Sequence, residues 1–93
     1  MNFVEVTEYT ENFPEGHVVK IPICNIEKFY RTEPDTTLYI VGGQVDIKEK
    51  TMIECRTERN EYTAYYFSDL DYEEFGKEAH LEPVADRFEI LDL

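Results

Sequence analysis

Apolar and polar positions alternate at the start of the chain. In "NFVEVTEY" (Asn2 to Tyr9), Phe3 is followed by Val4 and Val6, interleaved with Glu5 and Thr7. Alternation with β-branched residues predicts a strand, because successive strand side chains point to opposite faces. "ENFPEGH" follows, and Pro14 and Gly16 predict a turn. Next, "HVVKIPICNIEKFYRT" places Val19, Ile21 and Ile23 on one face, against Lys20 and Pro22. Pro22 cannot donate to a ladder, so this strand is expected at an edge or bent there. Ile26 and Phe29 continue the apolar pattern at a spacing of three, which predicts a bulge near Asn25 or a helical turn.

"TEPDTT" (Thr32 to Thr37) reads as a turn, with Pro34 presetting φ and Asp35 able to bond the backbone two residues on. "LYIVGGQVDIK" predicts a hairpin turning at Gly42-Gly43, with Leu38, Ile40, Val45 and Ile47 inside. "TMIECRTE" and "EYTAYYF" predict a second hairpin around Arg59-Asn60. There Ile53, Cys55 and Thr57 face in, against Tyr62, Ala64 and Tyr66.

The period changes in "SDLDYEEFGKEAH" (Ser68 to His80). At ~100° per residue, Tyr72, Phe75 and Ala79 share one face. Ser68 predicts an N-cap, and Asp71 three residues later resembles a capping box. Acids follow in the first turns, where the helix dipole favours them. A helix over 69–79 is expected, weakened at Gly76 by up to ~1 kcal/mol relative to alanine and stopped by Pro83. "RFEILDL" predicts a last short strand or a tail along a sheet edge. Strands joined by short turns, then one helix, give an α+β fold that is mainly β. The expected form is a curled antiparallel sheet or small open barrel of about six to seven strands, with a flat two-layer sheet-plus-helix as the alternative. At 93 residues a single domain, 1–93, is expected.

Charge sharpens the picture. The chain holds 21 acids and 9 bases, a net of −12. Residues 1–19 carry four acids and no base, residues 20–59 seven of each sign, and residues 60–93 ten acids against Lys77 and Arg87. The two ends are acidic and the middle is balanced. Direct nucleic-acid binding needs bases to neutralise phosphates, so it is not expected, and an anionic membrane surface is disfavoured for the same reason. No run approaches the ~20 apolar residues of a membrane span, and no signal-peptide pattern opens the chain. A cytoplasmic setting is expected, with Cys24 and Cys55 both free and buried.

Chemistry is hard to find. His17, His80, Cys24 and Cys55 do not pair at metal-ligand spacings, and no EF-hand pattern occurs. His17 is expected in an exposed loop. His80 at the helix end suits the dipole. Both cysteines fall in apolar strand patterns, away from an activating base. No cofactor, no metal and no enzymatic activity are expected.

What remains is an acidic surface. Asp69, Asp71, Glu73, Glu74 and Glu78 on the helix, extended by Glu82, Asp86, Glu89 and Asp92, are candidates for an array that imitates phosphate spacing. Tyr65, Tyr66 and Tyr72 are candidate aromatic contacts beside it, as at interface hot spots. The expected partner is a basic protein, with a nucleic-acid-handling enzyme first among the types. Size, acidity and the lack of a catalytic signature fit a small inhibitor such as a phage or mobile-element counter-defence protein. The alternative is an acidic binding module or immunity-like protein that neutralises a basic partner. Edge strands leave a dimer open.

Overall fold

The computed structural model describes residues 2–56 and 63–81. Seven strands and one helix follow in the order β1 (Phe3–Thr10), β2 (Phe13–Pro22), β3 (Ile26–Arg31), β4 (Thr37–Ile40), β5 (Gly43–Asp46), β6 (Thr51–Arg56), β7 (Thr63–Ser68) and α1 (Tyr72–Ala79). Five strands form an open antiparallel sheet in the order β2-β1-β7-β6-β3, and β4-β5 is a separate hairpin. The expected mainly-β α+β fold is what forms.

Alternation in β1 sends Val4 and Val6 to one face, where they join Ile21, Phe29, Ile53 and Cys55 in a core closed by Tyr72, Phe75 and Ala79 of α1. Phe29 meets both helix rings, with centroids 5.2 Å away in each case. Offset and edge contacts of this kind are favourable for aromatic pairs. The register Ile53↔Tyr66 and Cys55↔Ala64 matches the expected hairpin. Arg59 and Asn60, where the turn was expected, with Thr57 and Tyr62, lie outside the described residues. Phe67 takes the opposite phase and is fully buried on the other face, edge-on to Tyr9. The sheet centre is therefore covered on both sides.

Several turns differ from the sequence reading. The first reversal is Glu11-Asn12, with Thr10 paired to Phe13, and Pro14 and Gly16 lie within β2. Pro14 is tolerated there because β2 is an edge. His17 is half-buried in that strand, not in a loop; its ring stacks on Phe13 and bonds Glu8 at 2.9 Å. A 3-10 turn over Ile23–Asn25 ends β2, and a register shift between Ile26 and Lys28 absorbs the spacing of three. Cys24 sits in that turn and is exposed, so only Cys55 is buried as expected. The β4-β5 loop is Val41-Gly42, since Ile40 pairs with Gly43. Its positive φ falls on Gly42, at 92°.

Helix α1 begins at Tyr72 rather than at 69, and Asp71 is its N-cap. Ser68 does not cap it. Ser68 is buried at the end of β7 opposite Thr51, and its hydroxyl accepts from the Leu70 N–H at 3.2 Å. The box is Asp71 with Glu74: Glu74 N–H donates to Asp71 at 2.9 Å, and Asp71 N–H donates to the Glu74 carboxylate at 3.3 Å. At the other end His80 is left-handed, with φ 56°. His80 N–H reaches the Lys77 carbonyl and Leu81 N–H the Gly76 carbonyl. These two bonds form a Schellman cap, with Leu81 as its apolar contact against the core.

Candidate acidic interface

The helix acids do not form one uniform array. Glu73 is exposed and ion-paired with Arg31, whose guanidinium also lies 4.6 Å from the Tyr72 ring centroid. Arg31 thus holds Glu73 from one side and the buried ring from the other, a cation–π arrangement. Asp71 and Glu74 serve the cap, where the positive end of the dipole favours them. Lys77 follows in the last turn. Asp69 and Glu78 are exposed, and they meet at a different feature.

That feature is a groove of about 490 Å³ beside β1. It opens because β7 pairs with β1 at Thr7↔Phe67 and then ends at Ser68. The chain turns away through Asp69 and Leu70, leaving space alongside Phe3–Val6. Phe3, Val4 and Val18 supply apolar walls, and Glu5, Asp69 and Glu78 supply carboxylates. Phe3 is 49% and Val18 67% exposed.

The predicted tyrosines fall elsewhere. Tyr72 is only 3% exposed and anchors the helix in the core, so it supports the acidic surface from beneath and offers no contact of its own. Tyr66 is half-buried and packs on the same core. Tyr65 is 41% exposed, but β7 alternation turns it to the face opposite α1, across from Glu54. It is therefore not brought together with the helix acids. Glu82, Asp86, Glu89 and Asp92 lie outside the described residues. The sequence reading missed Glu5, Phe3 and Val18. The signal for the first two was in the phase of β1: with Val4 and Val6 facing in, Phe3 and Glu5 must share the other side.

Several other acids are held locally. Glu8 pairs with His17 and Glu27 with Arg56. Tyr9 and Tyr30 donate their hydroxyls to Glu49 and Glu54. Burial, then the Glu49 carboxylate, raises the Tyr9 phenol above its ordinary range. Among the described residues no group of His, Cys, Asp and Glu is arranged to hold a metal ion, and no helix is long and apolar enough to cross a membrane. No protein-family model, curated protein or solved structure matches the chain.

Proposed function

We propose that this protein is a small acidic inhibitor that binds a basic, nucleic-acid-handling protein, its carboxylates standing where phosphates would sit. One observation carries the reading. Glu5 of β1, Asp69 of the turn between β7 and α1, and Glu78 of α1 present exposed carboxylates around one groove, on a body anchored by the buried face of α1. A rigid display of this kind loses little entropy on binding, and opposite fields speed encounter. The net charge of −12 supplies the long-range part of that field.

A second reading, an acidic module that neutralises a basic partner lacking a nucleic-acid site, draws on Glu73. Its ion pair with Arg31 removes one carboxylate from the helical series, which weakens phosphate mimicry and leaves general charge complementarity intact.

The test is capture from a bacterial lysate at low salt, elution at high salt, and competition by duplex DNA. The inhibitor reading expects a basic partner that DNA displaces. It also expects the double variant Asp69→Lys/Glu78→Lys to lose capture by about tenfold or more while folding normally, since rim charge reversal acts on association. A captured partner indifferent to DNA supports the second reading. No loss in the folded double variant would overturn both.

A further inference from the structure

The backbone of β1 has its own directionality. The Ile23 N–H donates to the Asn2 carbonyl at 3.0 Å, while Phe3 stands opposite Pro22. In an antiparallel ladder this bond fixes the phase. Asn2, Val4 and Val6 turn their N–H and C=O groups toward β2, and Phe3, Glu5 and Thr7 turn theirs toward β7. Only Thr7 meets a β7 partner, Phe67. Among the described residues no strand pairs with Phe3 or Glu5 on that side, so their backbone groups face the groove. Among the described residues an interior strand of the sheet thus has an open edge along part of its length.

We propose that this open segment of β1 is a docking groove for an extended basic peptide of a partner protein, which adds as a strand against Phe3 and Glu5. An added strand offers donors and acceptors at every second residue, ~7 Å apart, which is the repeat between those two positions. The flanking carboxylates of Glu5, Asp69 and Glu78 fit Lys or Arg at alternate positions of the peptide. The intervening apolar side chains turn to the other face of the added strand, beside Val4 and Leu70. Charge selects this occupant over two others. Residues 82–93 of the chain carry four acids against Arg87, and a second copy carries the same net −12. Either would bring like charge to an acidic rim. The proposal rests on the reading that the partner is basic, and narrows it to one segment and one mode of pairing.

The experiment uses the full chain, nuclear magnetic resonance and a decapeptide of alternating lysine and valine. In the free protein the Phe3 and Glu5 amides are expected to exchange rapidly with solvent, while Val4 and Val6 are protected by the β2 ladder. The peptide should slow exchange at Phe3 and Glu5. The same peptide, N-methylated on its pairing side, keeps its charge but cannot donate, and is expected to bind about tenfold or more weakly. Glu5→Gln/Asp69→Asn/Glu78→Gln should weaken the unmodified peptide by a similar factor. This variant touches neither the cap nor the core, and its thermal transition checks that it folds. Equal binding of the N-methylated peptide, or protection elsewhere on the molecule, would overturn the groove while leaving the proposed function standing. Protection of Phe3 and Glu5 that grows with protein concentration alone would assign the edge to a second copy and overturn it too. Loss of lysate capture in Asp69→Lys/Glu78→Lys, with no peptide binding, would keep the acidic interface and reject the strand.

Discussion

Gly16 has φ 91° and lies against β1, where an added Cβ would sit 2.8 Å from Tyr9 Cε1 and 2.9 Å from Thr7 Cγ2. Neither the backbone nor the space suits another residue. Gly16→Ala is expected to cost about 1–3 kcal/mol, the usual price of a strained backbone conformation, and to move the Tyr9 ring that donates to Glu49. At ~4–8 °C per kcal/mol for a domain of this size, the loss is readable as a fall in Tm. Cys55 offers a second test at this scale. Burial, then the Glu27 carboxylate, pushes its thiol up from 9.0 to about 12. A group whose folded pKa is raised contributes stability that is whole below the unfolded value and is lost as pH climbs toward the folded one. Tyr9 acts in the same direction from about pH 10. Tm is therefore expected to fall from about pH 9 upward, with a shallower slope in Cys55→Ala. At neutral pH a thiol reagent should label Cys24, which is exposed, and spare Cys55 until the protein unfolds.

The helix shows what an element owes to its neighbours. Asp71→Ala removes one half of the capping box and should cost about 0.5–2 kcal/mol. Ser68→Ala acts elsewhere, on the turn that Leu70 closes, so a loss of helical circular dichroism in Ser68→Ala with none in Asp71→Ala would contradict the observed cap. Both spacings, Ser68 to Asp71 and Asp71 to Glu74, satisfy the same local pattern. What separates them is non-local: Thr51 opposite Ser68 keeps that residue in β7. Strand phase was legible wherever β-branched residues alternated, as in Val4 and Val6, or Ile53 against Tyr66. The apolar stripe of Tyr72, Phe75 and Ala79 was equally legible, and it already argued against Tyr72 as an exposed contact. Turn positions were less legible, because Pro14 and Gly16 are turn formers by propensity but serve an edge strand here. The groove was not legible at all. It depends on where β7 stops pairing with β1, and no periodicity carries that information.

For the molecule as a whole, salt should act with opposite signs on folding and on binding. A net of −12 on a body with a radius of gyration of 13.0 Å places like charges close together. Their mutual repulsion opposes the compact state and is screened over ~8 Å at physiological ionic strength. The ion pairs that salt would weaken in return, such as Arg56 with Glu27, are exposed and contribute about 0–1 kcal/mol each. Repulsion therefore outweighs them, and the Tm of the free protein is expected to rise with added sodium chloride. A complex with a basic partner responds the other way, because screening removes the attraction that forms it. The two responses are separable in one titration, with thermal unfolding of the free chain beside the dissociation constant of the captured complex. A complex that tightened with salt would point to apolar contacts through Phe3 and Val18, with the carboxylates confined to solubility. A free-protein Tm that fell with salt would show that its local ion pairs outweigh the repulsion, leaving little uncompensated field for a partner to meet.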